Sequence, residues 1–417
     1  MYTPFDPADW TGRDDGPGRE HARWHSVIEG LDPREAGSGT GSGAGTGAGA
    51  GVSGSGSGAG AGVASGAGAI TGAARVALLG FASDEGVERN GGRRGAAAGP
   101  AAIRSALASL AVHDEVARAD AGTVRTEDPD LEGAQRELSD AVRDLVRAGR
   151  LVVALGGGHE IAWATHRGLF EAVAGSGVEG SGADGSGAAS SGAAGSGAAG
   201  SGSEGDDAAP ARAGERERIA VVNLDAHFDL RAADRPTSGT PFLQIARLHG
   251  AGGPAAGAPI PDSRPAAEQG AAGPDSADQP ESHDFDYTVL GISEPNNTRV
   301  LFETAEALGV HTVLDDELAE MTPQQAGELV AKAVADADHV HLSIDLDGLP
   351  ASVAPGVSAP AAVGVSLAHY RAMARAAAAS GKLRLVDVAE LNPEFDVDNR
   401  TAKVAARLIS DITGVAG

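Results

Sequence analysis

"RLVVALGGGHEIAWATHRGLFEAVA", residues 150–174, opens on an unbroken apolar run, turns on three glycines and continues with apolar residues at helical spacing. A short apolar run that ends in a glycine turn reads as a strand buried on both faces, and the periodic stretch behind it reads as a helix. The same order of strand, turn and helix recurs along the chain. Strand-like runs stand in RVALLGFASDEG (75–86), RIAVVNLDAH (218–227), YTVLGIS (287–293), HTVLDDE (311–317), HVHLSIDLDG (339–348) and LRLVDVAEL (383–391). Helical patterns separate them, among them GPAAIRSALASLA (99–111), EGAQRELSDAVRDLVRAG (132–149), PQQAGELVAKAVADA (323–337) and LAHYRAMARAAAAS (367–380). Near-continuous Val, Ile and Leu strands alternating with helices predict an α/β protein whose parallel sheet is covered on both faces. In such sheets ligands bind outside the carboxyl ends of the strands.

The composition narrows the function classes. With 417 residues the chain is long enough for a well-buried core. A formal charge of −26, from 58 acidic and 32 basic residues, argues against a nucleic-acid or anionic-membrane surface, which needs clustered Lys and Arg. The absence of cysteine excludes disulfides, thiolate metal sites and a Cys nucleophile. No basic and apolar leader opens the chain and no apolar run reaches about 18 residues, so neither a signal peptide nor a membrane span is expected and a cytoplasmic location is the default.

Three stretches, about 36–73, 174–214 and 250–283, consist almost wholly of Gly, Ala and Ser or Pro. Such composition cannot bury enough apolar surface to offset chain entropy and reads as flexible linker or insertion. Chance matches to a Gly-rich nucleotide loop within them lack the flanking strand, helix and acidic partner. The expected organisation is an N-terminal segment (1–35), a linker (36–73) and a catalytic domain (74–417) with flexible insertions at about 174–214 and 250–283. Deleting 36–73 or shortening 174–214 is expected to leave folding and activity largely intact, since loop closure costs only ~0.6 kcal/mol per doubling of length. Loss of soluble protein from either deletion, measured by expression and thermal melting, would contradict that reading.

The chemistry stands at the strand ends. In "DAHFD" Asp225, His227 and Asp229 alternate directly behind an apolar run, so an extended chain points all three to one face. "GGGHE" places His159 at the end of another strand, and "SIDLDGL" places Asp345 and Asp347 at a third. Imidazole and carboxylate donors without sulfur suit Mn²⁺ or a similar divalent ion, with zinc, cobalt or nickel as alternatives. This donor set exceeds the need of one ion with an open position. Two ions ~3.5–4 Å apart, bridged by shared carboxylates, would use it fully and activate a water near neutral pH.

These three motifs, in this order, resemble those of the ureohydrolases, the arginase and agmatinase family. The resemblance covers roughly residues 76–416 apart from the second and third low-complexity stretches. It implies a three-layer α/β/α fold with a central parallel sheet, and two Mn²⁺ per chain. Carried over residue by residue, it makes His159, Asp225, His227, Asp229, Asp345 and Asp347 the metal ligands, with Asp229 also taking part in catalysis. It further offers Glu390, in "AELNPEFDVDNRTAKVAARLI", as the carboxylate that contacts the amidine or guanidine group of the substrate.

One departure bears on the substrate. Arginases and agmatinases carry a His-Gly pair after the second ligand strand, whereas this chain has Ser238 before Gly239 in "TSGTPFLQIA". With "GFASDEGVERNGGRRGAAAGP" and "GISEPNNT", this looks most like the formimidoylglutamase branch, which hydrolyses N-formimidoyl-L-glutamate to L-glutamate and formamide in histidine degradation. An acidic substrate needs a cation in the pocket. Arg231, two residues beyond Asp229, is the first candidate, and Asn90 and Arg93 in the N-terminal loop are the next.

The remaining polar residues receive plainer readings: His166, His339 and His341 as packed or outer residues, Glu160 as a cap for the helix beginning behind it, and Glu294 as a loop carboxylate or substrate contact. The alternatives kept open are an agmatinase or guanidino-acid hydrolase of the same family, a single-zinc deacetylase of related fold, and a non-catalytic metal-binding relative. Asp229 and Asp347 are more than a single-zinc site needs. The expected partners are a small-molecule substrate and further copies of the chain in a homo-oligomer, with neither nucleic acid nor membrane.

Overall fold

The computed structural model describes residues 1–36, 75–127, 129–174, 217–251 and 284–416. The three low-complexity stretches lie almost wholly outside the described residues. In chain order the elements are β1 (Tyr2–Thr3), α1 (Trp24–Val27), β2 (Ile28–Gly30), β3 (Val76–Ala82), α2 (Glu85–Arg89), α3 (Gly99–Ala108), β4 (Arg118–Arg125), α4 (Leu131–Arg147), β5 (Leu151–Leu155) and α5 (Ile161–Ala174). They continue with β6 (Ile219–Leu224), α6 (Pro241–Leu248), β7 (Asp286–Ile292), α7 (Arg299–Ala307), β8 (His311–Leu314), α8 (Asp315–Ala319), α9 (Pro323–Ala333), β9 (His339–Asp345), α10 (Leu367–Ala379), β10 (Leu383–Ala389) and α11 (Arg400–Val415).

The strands form one sheet in the order β1-β4-β3-β5-β10-β9-β6-β7-β8, with β2 also on β4. Every pairing is parallel except that of β1 with β4. Side chains alternate across the sheet. Leu78, Val153, Val222, Leu342 and Val386 meet α3, α9, α10 and α11 on one face. Leu79, Val152 and Leu385 meet α4 and α5 on the other, and α6 and α7 cover its far half with Phe242, Ile245 and Leu301. The fold is therefore three-layer α/β/α. Each such aliphatic side chain taken fully out of water contributes roughly 1.5–3 kcal/mol.

Residues 1–36 join this sheet, adding β1 and β2 beside β4. β4, RADAGTVR, carries three charges yet is buried over seven of its eight residues. Asp120 is held there by Arg104 at 2.7 and 2.9 Å and by the indole N–H of Trp10 at 2.7 Å. The Arg118 guanidinium lies 4.6 Å over the Trp24 ring. A buried charge requires such partners, and the N-terminal residues supply two of them. Among the described residues no helix is long and apolar enough to cross a membrane.

Candidate metal centre

The four central neighbours β5, β10, β9 and β6 all end on the same side of the sheet, and their carboxyl ends carry the polar residues singled out above. At the end of β5 the three glycines are needed for room. A Cβ on Gly156 would stand 2.7 Å from the Val388 carbonyl oxygen, and one on Gly157 would overlap that of Ser83. Their amides donate to Val388 at 2.8 Å and Phe81 at 2.9 Å, and Gly158 donates to Ser83 at 3.0 Å. The chain is thereby stitched between β3 and β10 so that His159 faces the tips of β6 and β9. Two non-glycine residues nearby take left-handed backbone, Asp229 (φ 49) and Glu390 (φ 68). Such conformations are costly and persist where the surroundings over-determine them.

The donors form two groups that share one residue: His159, Asp225, Asp229 and Asp345, and Asp225, His227 and Asp347. His159 Nδ1 lies 3.2 Å from Asp225 Oδ2, 3.0 Å from Asp229 Oδ2 and 3.0 Å from Asp345 Oδ2. His227 Nδ1 lies 3.2 Å from Asp347 Oδ2 and 3.6 Å from Asp225 Oδ1. Asp225 thus turns one oxygen to each group. Backbone and amide donors fix the carboxylates: His227 N–H to Asp225 at 2.7 Å, Asn223 Nδ2 to Asp225 at 3.0 Å, and Asp347 N–H to Asp345 at 2.8 Å. The His159 N–H donates to Glu390 Oε1 at 2.9 Å, which brings Glu390 to the edge of the first group.

A divalent ion fits these residues on three counts. His159 Nε2 donates to Ser343 Oγ at 2.9 Å, and that hydroxyl donates onward to Asp387. In the neutral ring Nδ1 then turns a lone pair toward three carboxylates, an arrangement that a proton or a metal cation between them relieves. Burial lowers the His159 imidazole, but its hydrogen bonds to Asp225, Asp229 and Asp345 outweigh that and hold it well above the ordinary range, so with no cation a proton takes the place. His159 Nδ1 and Asp347 Oδ1 are buried without a hydrogen-bond partner. Donor spacings of 3.0 to 3.2 Å are those of adjacent corners of a coordination shell, where bonds of roughly 2.1 Å stand at right angles.

The electrostatics agree. The charge of Asp347 pushes His227 up to about 12, against burial. Burial pushes Asp347 up to about 6, with the charges of Asp225 and Glu390 adding to it. Burial, then the charges of Asp345 and Glu160, drives Glu390 well above the carboxylate range. With no cation these donors retain protons, which a dication must displace. The apparent affinity for Mn²⁺ is therefore expected to rise with pH between about 6 and 8, by roughly tenfold per pH unit for each proton released. Calorimetric titration across that range checks it, and a flat profile would contradict the donor set.

Arg231 and Asn90 are exposed and gather with the turn 238–239. The Arg231 N–H donates to the Gly239 carbonyl at 2.9 Å, and Asn90 Nδ2 donates to Ser238 Oγ at 3.2 Å. A Cβ at residue 239 would stand 2.8 Å from Arg231 Cδ and 3.2 Å from Asn90 Nδ2, so glycine is what leaves space for both. Arg93 is differently employed. Its guanidinium lies 3.8 Å over the Phe395 ring and donates to the carbonyls of Ser358, at 2.9 Å, and Val357. Glu160 does cap a helix, but not the one behind it: its carboxylate accepts from the Gly86 amide of α2 at 3.1 Å and from Ser83 Oγ at 2.9 Å. Glu294 is exposed.

Asn223, Ser343 and Asp387 escaped the sequence reading. The signal was present in β9, where His339, His341, Ser343 and Asp345 occupy every second position, a strict polar alternation within a strand that reads as apolar.

Comparison with known proteins places this geometry in context. The sequence profile of the Arginase family matches residues 74–179 and 206–414. The formimidoylglutamase of Corynebacterium efficiens is 38% identical over 407 residues, which is 97% of this chain and 94% of that protein. That of Nocardia farcinica is 40% identical over 407 residues, covering 97% and 95%. Among solved structures, the formiminoglutamase of Trypanosoma cruzi with Mn²⁺ superposes with a TM-score of 0.59 at 22% identity, over 82% of this chain and 93% of that one, a likeness of fold.

Proposed function

The chain belongs to the arginase family, and from that premise we propose that it hydrolyses N-formimidoyl-L-glutamate to L-glutamate and formamide at a centre of two Mn²⁺. The observation that carries this reading is the pair of donor groups sharing Asp225, with Glu390 beside them. His159, Asp225, Asp229 and Asp345 would hold one ion, and Asp225, His227 and Asp347 the other. When bound, such a pair supplies Lewis-acid polarisation and a water nucleophile at neutral pH.

The protein's own residues do the rest. Glu390 presents a carboxylate to the formimidoyl N–H groups and holds the reacting carbon over the centre. Water adds to that carbon, and the bond to the α-nitrogen of glutamate breaks. Asp229 takes a proton from the attacking water and returns it to the departing amine, a shuttle suited to a chain with Ser238 where arginases have a histidine. Proton transfer by a positioned carboxylate contributes typically 10²–10⁴-fold. Arg231, with Asn90 beside it, receives the substrate carboxylates, and its guanidinium can do so bidentately.

Arg231→Ala is expected to raise KM for formimidoylglutamate by roughly one to two powers of ten, the loss of a charge-assisted hydrogen bond of ~1.5–3 kcal/mol. Metal content should not change, and selectivity should drift toward neutral or cationic amidines. Unaltered KM would remove Arg231 from recognition of the substrate carboxylates. The proposal as a whole is tested by product analysis with formimidoylglutamate, arginine, agmatine and guanidino acids. Glutamate and formamide from the first substrate are expected, and turnover of agmatine or a guanidino acid alone would overturn the assignment.

A further inference from the structure

The polar face of β9 continues beyond the centre. Asp387, fully buried on β10, accepts from Ser343, from Thr165 Oγ1 at 2.9 Å and from His341 Nε2 at 2.5 Å. His341 Nδ1 lies 3.2 Å from His166 Nδ1 on α5, and His166 Nε2 lies 2.8 Å from His249 Nε2 at the end of α6. His341 and His166 are buried, whereas His249 is half-buried, against Phe170 and Phe285. An unbroken line of contacts thus leads from His159, through Ser343, Asp387, His341 and His166, to a side chain that meets solvent on the outer helical layer.

We propose that His341, His166 and His249 form a string that takes up one proton from solvent and so couples pH to the metal centre through Asp387, Ser343 and His159. The inference rests on the reading of His159 as a metal ligand.

Hydrogen counting gives the string two complete states. With all rings neutral, His249 donates to His166, His166 donates through Nδ1 to His341, and His341 donates through Nε2 to Asp387. With one added proton every contact survives and the two links between rings reverse. His341 then carries both N–H groups, His166 donates through Nε2, and His249 accepts. The charge comes to rest beside Asp387 wherever the proton entered. Burial, then the flanking His249 and His341, holds His166 well below the ordinary imidazole range, so it relays without retaining charge. Burial pushes Asp387 up, but the charge and hydrogen bond of His341 outweigh it and hold Asp387 below the usual carboxylate range. Among the described residues, the other charged groups on the elements carrying the string are the Glu217–His339 pair at the opposite end of β9, Asp345 at its near end, Arg384 on β10, the Arg167–Glu171 pair on α5, and Arg247 on α6.

The consequence concerns metal affinity. A cation at His341 neutralises the acceptor that orients Ser343 and sharpens His159 as a donor, and it adds positive charge behind the ions. Outer partners of this kind typically alter metal affinity 10–100-fold. Binding of Mn²⁺ therefore expels the string's proton in addition to those of the ligands. His249→Phe, which suits the neighbouring aromatic rings, leaves the charged state with an unpartnered His166 N–H and so suppresses the uptake.

Two measurements on the full chain test this. Long-range ¹⁵N–¹H spectra of the imidazoles without metal, between about pH 5 and 8, should show His166 exchanging its proton from Nδ1 to Nε2 as pH falls. A single His166 tautomer throughout would overturn the string. Calorimetry should show the Mn²⁺ dissociation constant weakening more steeply from pH 8 to pH 6 in the native chain than in His249→Phe, by up to about tenfold per pH unit for one linked proton. Equal slopes would overturn the coupling. Failure of the native chain to bind Mn²⁺ at any pH would sink the metal reading and the coupling with it, while the spectra would still decide the string.

Discussion

Asp225→Ala is expected to abolish binding of both ions and lower turnover by three powers of ten or more. Asp225 alone belongs to both donor groups, its Oδ2 facing His159 and its Oδ1 facing His227. Its removal leaves each group short of a charge and takes away the only carboxylate the two share. A loss of three powers of ten corresponds to ~4 kcal/mol in the barrier, on the scale of the charge stabilisation a metal ion supplies. Asp229→Ala and Asp347→Ala, by contrast, each weaken one group and should retain an ion in the other. Metal analysis beside single-turnover kinetics separates the cases. If Asp225→Ala kept both ions, the carboxylate would not be shared and the binuclear arrangement would be wrong.

Glu390→Gln is expected to cut kcat/KM by roughly 10²–10³ while leaving the ions in place. The amide keeps the size of the side chain and an oxygen for the His159 N–H at 2.9 Å, so the loop with its left-handed backbone is preserved. What disappears is the negative charge proposed to meet the formimidoyl group. Losing one preorganised partner of a charged transition state costs ~2.7–4 kcal/mol. Loss of metal in this variant would make Glu390 a structural member of the centre, and unchanged kinetics would remove it from the mechanism.

Much of this was legible because the decisive residues obey simple periodicities. His159 follows a glycine turn that only a close strand approach requires, and Asp225, His227 and Asp229 alternate where a strand emerges from the core. The sheet order was not legible, since neighbours such as β5 and β10 lie more than two hundred residues apart and only tertiary packing unites them. β4 was missed because its Arg118 and Asp120 look like surface residues; they are buried only because Trp10, Trp24 and Arg104 meet them. The two strands in residues 1–36 span two and three residues, too short to show a period. From sequence His341 and His166 read as packed or outer residues, and they do pack. That they touch each other follows from α5 lying across β9 and β10, which no local pattern announces.

The central claim is that Asp225 joins two metal sites in one chain. Equilibrium dialysis against Mn²⁺ at about pH 8, followed by elemental analysis, measures it most directly. The account predicts saturation close to two ions per chain, falling to one in Asp229→Ala or Asp347→Ala and to none in Asp225→Ala. Saturation of the native chain at a single ion would contradict it.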